Sequence, residues 1–229
     1  DNEPENPGYV YIVFGKPNPN WGTNFILEDG ADAYYAGENP HDIAGISVAM
    51  AGDINGDGLD DILVGVPYND YSGIDAGKAY LILGKTDGWQ RGVSLSEADA
   101  SFCGDVGNGL AGYSVDGVGD VNGDAIPDFV IGARGAKEVY LMFGRRNVNW
   151  GTNFNLNNAD VTFYSSQWND WTGWRSAGAG DVNGDGLNDI LIGAPMYNQD
   201  GGDAGKVFLV FGRRSGWNGN LDEADASFY

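Results

Sequence analysis

An all-β fold of repeated four-stranded units is what this sequence predicts, and three observations predict it. The first is a nine-residue pattern, Asp53-Ile54-Asn55-Gly56-Asp57-Gly58-Leu59-Asp60-Asp61, which returns from Asp120 to Asp128 and from Asp181 to Asp189. The second is the apolar run that follows each copy at once: Ile62 to Pro67, Phe129 to Ala133 and Ile190 to Pro195. The third is an aromatic and β-branched run closed by glycine, Gly8 to Gly15. It recurs as Gly77 to Gly84, Ala136 to Gly144 and Gly205 to Gly212, with closing glycines about 60 to 70 residues apart. Short β-branched and aromatic runs bounded by Gly and Pro are strand signals, and no segment stands out with a helical period.

Taken in order, Gly8 to Tyr34 supplies two strands only, Gly8 to Gly15 and the element Leu27 to Tyr34. A complete unit follows: a Gly-, Ser- and Val-rich strand (Gly45 to Gly52), the acidic loop, a second strand (Asp61 to Pro67), a third (Gly77 to Gly84) and a fourth (Val93 to Phe102). Trp21, Trp89, Trp150 and Trp217 recur at one position after the third strands, as a structural residue between units would. Four antiparallel strands in about sixty residues read as a β-propeller blade, whose short edges are protected by radial stacking. The chain thus reads as a single propeller segment over 1–229, with a half blade at 8–36 and blades at 45–103, 112–164 and 173–229, about three and a half in all. The link between second and third strands is long in the first and third blades and nearly absent in the middle one, Arg134-Gly135. Length variation on one rim of a constant scaffold is where binding function usually sits.

The acidic loops carry the chemistry. A hard cation such as Ca²⁺ takes several oxygen ligands, and a tight Gly-rich loop can turn alternate side chains inward while a backbone carbonyl adds another. The expected ligands are Asp53, Asn55, Asp57, Asp61 and the carbonyl of Leu59; Asp120, Asn122, Asp124, Asp128 and the carbonyl of Ile126; Asp181, Asn183, Asp185, Asp189 and the carbonyl of Leu187. That makes three Ca²⁺ sites. Mg²⁺ fits less well, because it prefers a small octahedral shell and keeps its water. An acidic hairpin turn without metal is the plain alternative, but a turn needs one Asp-Gly and not three copies of a five-position pattern. A helical calcium loop wants a carboxylate at position twelve, where this chain has Val64, Ile131 and Ile192.

Composition narrows the partners. The 229 residues, 42% hydrophobic and 13% aromatic, suit a folded protein with a sizeable core. A formal charge of -21 argues against nucleic acid or an anionic membrane surface, and three Ca²⁺ would bring it to about -15. Cys103 is the only cysteine, so neither an intrachain disulfide nor a thiolate metal site is open to the protein. No apolar run is long enough to insert in a membrane, and with no initiator Met the chain reads as a processed or excised segment. No Asn-x-Ser/Thr acceptor occurs.

Gly45-Ile46-Ser47-Val48 before the first loop, Val64-Gly65-Val66-Pro67 after it, and Ile192-Gly193-Ala194-Pro195 after the third resemble the FG-GAP repeat of integrin α-chain β-propellers. The resemblance covers essentially the whole sequence, and the Asn-Trp-Gly-Thr-Asn-Phe segments resemble integrin-like repeats of secreted bacterial proteins. It implies an extracellular, secreted or cell-surface calcium-binding module for protein interaction, adhesion or assembly, without catalysis. The middle copy departs from the pattern: Ala125 replaces a loop glycine, Pro127 precedes the last ligand and Arg134 takes the place of proline, so its site is expected to be the weakest. The seven-bladed ring of the family exceeds what one copy supplies. Self-association, through two copies about a two-fold axis, or the remaining blades of a larger parent protein, is therefore expected.

The rim opposite the acidic loops is the expected face for a protein or glycan ligand, with Tyr68, Tyr71, Trp168, Trp171, Tyr197 and Asp200 as candidates. Trp168, Trp171 and Trp174 lie in one non-repeated stretch beside Asn169 and Asp170; rings that merely fill space between blades are the competing account. A lectin-like carbohydrate binder is the alternative function. A propeller enzyme is the more distant one, since His41 is the only histidine and no nucleophile-elbow motif accompanies it.

Overall fold

The computed structural model describes residues 6–17, 22–147, 149–167, 169–199 and 202–229. Among them eighteen strands form, and their order follows the repeats. The first sheet holds β1 (Tyr9–Ile12) and β2 (Ala33–Ala36), joined through a single helical turn, α1 (Leu27–Gly30). The second is an antiparallel meander of β3 (Ser47–Gly52), β4 (Asp61–Val66), β5 (Lys78–Ile82) and β7 (Ala100–Cys103). The third repeats it with β8 (Ala111–Gly119), β9 (Asp128–Ala133), β10 (Glu138–Met142) and β12 (Val161–Tyr164). The fourth does so with β13 (Arg175–Gly180), β14 (Asp189–Ala194), β17 (Lys206–Val210) and β18 (Ala226–Phe228). A small hairpin, β15 (Asn198–Gln199) with β16 (Gly202–Asp203), decorates the link between β14 and β17. The fold is a partial β-propeller of four-stranded blades.

One boundary differs from the sequence reading. The span Val93 to Phe102 is not one strand: β6 (Arg91–Ser94) leaves its own blade and pairs in parallel with β2 of the sheet before it. A short 3-10 turn, Leu95–Glu97, capped by the Ser94 side chain, then leads into β7. The next blade does the same, where β11 (Phe154–Asn155) pairs in parallel with β7 and Asn155 caps the turn Leu156–Asn158. Each connection thereby stitches its blade to the preceding one through hydrogen bonds that no local periodicity records.

The sheets stack face to face in sequence order. Val10, Tyr35 and Ala44 pack on Val64, Val66, Tyr80 and Ile82; Leu63, Leu81 and Phe102 pack on Phe129, Ile131 and Tyr140; Val130, Val139, Leu141 and Phe163 pack on Ile190, Ile192 and Phe208. A central sheet is therefore covered on both sides, which is why β9 is buried along its whole length and reads as an unbroken apolar run. Trp150 bridges two blades, touching Phe102 of one and Phe129 of the next at centroid distances of 6.1 and 5.9 Å. Trp217 packs on Phe143 and Phe163, and Trp89 on Phe14. Trp21 lies outside the described residues.

Glycine sets the spacing between blades. A Cβ on Gly65, in the middle of β4, would lie 2.0 Å from the Gly112 carbonyl oxygen, and one on Gly132 of β9 would lie 2.5 Å from that of Gly173. Both glycines are needed for the sheets to approach this closely.

Candidate functional site

Each acidic loop begins at a β-bulge. The register of β3 on β4, of β8 on β9 and of β13 on β14 shifts just before Gly52, Gly119 and Gly180. These glycines have φ of 76°, 72° and 71°, the left-handed conformation that a glycine bulge requires. The sequence reading does not single them out, although each directly precedes the first loop aspartate.

Inside the loops one hydrogen-bond pattern repeats. The Asp53 carboxylate accepts the N–H groups of Asp57 and Gly58, both at 2.8 Å; Asn55 Oδ1 accepts Asp57 N–H, and Asp57 Oδ1 accepts Leu59 N–H. Asp120, Asn122 and Asp124 accept the equivalent groups in the second loop, and Asp181, Asn183 and Asp185 do so in the third. The last aspartate of each loop is buried at the root of the following strand. Asp61 accepts Ile54 and Gly84 N–H at 3.0 and 2.8 Å; Asp128 accepts Val121 and Gly144 N–H, and Asp189 accepts Val182 and Gly212 N–H. Burial pushes the Asp61 carboxyl up to about 6 and that of Asp128 up to about 7; the accepted N–H groups oppose the shift and the neighbouring loop aspartates add to it.

As the side chains stand, no three Asp, Glu, His or Cys groups among the described residues form a cluster that could hold a metal ion. The donor set nevertheless fits calcium: oxygen donors only, rich in carboxylate, with a second lone pair remaining on each oxygen that accepts one N–H. Two of the loops are also roofed by the next blade. Arg145 N–H donates to the Ile54 carbonyl at 2.9 Å and the Arg146 guanidinium to that of Gly56; Arg213 N–H and the Arg214 guanidinium repeat these bonds on Val121 and Gly123. Ile54 and Val121 are accordingly 0% exposed, whereas Val182 in the third loop is 54% exposed.

A second set of acids, unassigned from sequence, ties the strands together. Asp32, Asp99, Asp160 and Asp225 each accept, at 2.8 Å, an N–H one or two residues past a strand end: Phe14, Leu83, Phe143 and Phe211. Lys16, Arg145 and Arg213 then pair with Asp32, Asp160 and Asp225.

At the opposite rim the expected ligand residues fall in separate places. Tyr68 and Tyr71 line a cavity of about 730 Å³ with Glu38, His41, Asp70 and Asp75. Trp171 lies at another, with Arg134. Tyr197 packs on Phe208 and Tyr229, beneath which Lys206 sits 4.6 Å from the Tyr197 ring. Trp168 and Asp200 lie outside the described residues.

The family model for the FG-GAP repeat matches residues 44–82 and 173–210. The chain carries FG-GAP repeats. Integrin alpha-6 of Gallus gallus is 30% identical to this FG-GAP protein over 166 residues, 70% of its length and 14% of the integrin. Integrin alpha pat-2 of Caenorhabditis elegans is 28% identical over 201 residues, 80% of the FG-GAP protein and 15% of the relative. Phosphatidylinositol-glycan-specific phospholipase D of Bos taurus is 32% identical over 171 residues, 69% of the FG-GAP protein and 19% of the relative. The FG-GAP protein is thus integrin alpha-like, and it spans less than a fifth of the length of these relatives. The middle copy, with Ala125, Pro127 and Arg134, falls outside the matched residues.

Proposed function

We propose that this protein is a calcium-stabilised, non-catalytic binding module for extracellular protein interaction, adhesion or assembly. The observation that carries it is the single loop form, repeated three times, in which Asp, Asn and Asp side chains order a Gly-rich turn above a fully buried aspartate. Asp53, Asn55, Asp57, Asp61 and the Leu59 carbonyl would hold the first ion; Asp120, Asn122, Asp124, Asp128 and the Ile126 carbonyl the second; Asp181, Asn183, Asp185, Asp189 and the Leu187 carbonyl the third. A bound ion supplies positive charge against carboxylates that otherwise repel one another across the loop. The protein-binding half of the reading is supported by the integrin likeness and by the unequal loops on the other rim. No helix among the described residues is long and apolar enough to cross a membrane.

Calorimetric titration of the metal-stripped protein should show calcium binding at three sites, falling to two in Asp53→Ala. Each site saturated at a hundredfold excess over its Kd adds about 2.7 kcal/mol to unfolding, so EDTA should lower the melting temperature by many degrees. An unchanged melt, with no heat on calcium addition, would overturn the metal assignment. The likeness to phospholipase D supports a rival enzymatic reading; turnover of a phosphodiester substrate by the purified protein would overturn the non-catalytic one.

A further inference from the structure

Arg134 stands where the first and third units carry Pro67 and Pro195. From the end of β9 its guanidinium carbon lies 4.3 Å from the ring centroid of Tyr113, 4.9 Å from that of Trp174 and 5.6 Å from that of Trp171. The two tryptophans stack on each other with centroids 5.2 Å apart and planes 13° from parallel, and Tyr113 packs on Trp174 at 5.1 Å. Such rings hold a guanidinium by its face and leave its edge donors for another group. The Arg134 Nε is buried and has no hydrogen-bond partner among the described residues, and leaving a charged donor unsatisfied is costly. The side chain borders a cavity of about 220 Å³ shared with Gly135, Lys137, Asn169 and Trp171.

The walls of this cavity are held in place. Lys137 and Trp171 have φ of 63° and 59°, strained values that persist only where the surroundings impose them. Asp170, 1% exposed, supplies the restraint on one side: its carboxylate accepts Thr172 N–H at 3.0 Å, Thr172 Oγ1–H at 2.8 Å and the Ser165 hydroxyl, while its carbonyl accepts Met196 N–H. On the other side Gly135 and Ala136 donate to the Gly109 carbonyl and Lys137 to that of Ala133.

We propose that this cavity binds one side-chain carboxylate of a protein partner, from an exposed Asp or Glu residue. Arg134 is the hydrogen-bonding fork and Trp171 forms the wall. Guanidinium matches carboxylate in plane and spacing. The volume is below the 300–1,000 Å³ usual for a larger ligand, and the net charge of -21 repels a polyanion, whereas a single carboxylate meets the Arg134 guanidinium. The proposal rests on the protein-binding reading above.

The test is a titration of the calcium-loaded 229-residue protein at low salt with acetyl-Gly-Asp-Gly-amide and with its Asn counterpart, followed by the indole N–H resonances of Trp171 and Trp174. The Asp peptide should shift both resonances and the Asn peptide neither. Arg134→Gln should weaken the Asp peptide at least about 10-fold, and Arg134→Lys by less because the charge remains without the fork. Equal responses to the two peptides, an undiminished response in Arg134→Gln, or a stronger response to sodium sulfate or sodium glucuronate would overturn the proposal. A protein that gains stability with calcium yet ignores the Asp peptide loses this site and keeps the module reading.

Discussion

Ala125 has φ of 66° at the position where the other two loops carry Gly58 at 94° and Gly186 at 88°. A left-handed alanine costs about 1–2 kcal/mol, against which glycine would forfeit about 0.4–1 kcal/mol through a freer unfolded state. Ala125→Gly should therefore stabilise the protein by about 0.5–1 kcal/mol and tighten calcium at the second loop, as measured by urea unfolding and calorimetry. An unchanged midpoint would mean that the loop already relaxes around the methyl group. The departure is visible in the sequence because the two other copies supply a reference. Arg134 is equally visible as a departure, yet its role is not, because the rings beneath it come from Tyr113 on one strand and Trp171 and Trp174 in a distant connection.

Strands, loops and their order are legible because each strand is a short apolar run punctuated by glycine, and each loop an alternating oxygen pattern. What escapes is pairing at a distance. β6 and β11 belong to the sheet before their own, and nothing in Arg91 to Ser94 or in Phe154-Asn155 announces a parallel partner more than about fifty residues upstream. The glycine in the middle of each second strand reads as part of a family pattern; the structure gives its reason, the 2.0 Å contact that a Cβ on Gly65 would make. Gly65→Ala and Gly132→Ala should each cost about 1–3 kcal/mol through overpacking between blades. Gly193→Ala should cost less than about 1 kcal/mol, since its Cβ would meet nothing nearer than the Arg175 carbonyl at 3.3 Å. Comparable losses at all three positions, measured by denaturant unfolding with calcium present, would refute close approach as the reason for the glycine.

The stack of sheets has an uncovered outer face on its last blade, where Val207 is 39%, Phe228 56% and Tyr229 66% exposed. An apolar blade face is normally satisfied by a neighbour, so the protein is expected to associate, with itself or with further blades. Light scattering at micromolar concentration with calcium should give a mass above the 24.3 kDa of one copy. Gly193→Ala should lower that mass without lowering the melting temperature, because the methyl group would stand where the next blade must approach. A wild-type protein that stays at 24.3 kDa would refute the expectation.

The roof over the loops gives such contacts a direction. Arg146 covers the first loop and Arg214 the second, each reaching back from the following blade, while the first sheet carries Lys16, paired with Asp32, in the place of Arg145 and Arg213. Among the described residues the third loop has no such cover, and the first sheet's Lys16 reaches no loop. Mating through these two ends is heterologous, so it either closes into a ring or propagates as a filament; a two-fold pairing through the last face would instead set one acidic loop against its own likeness.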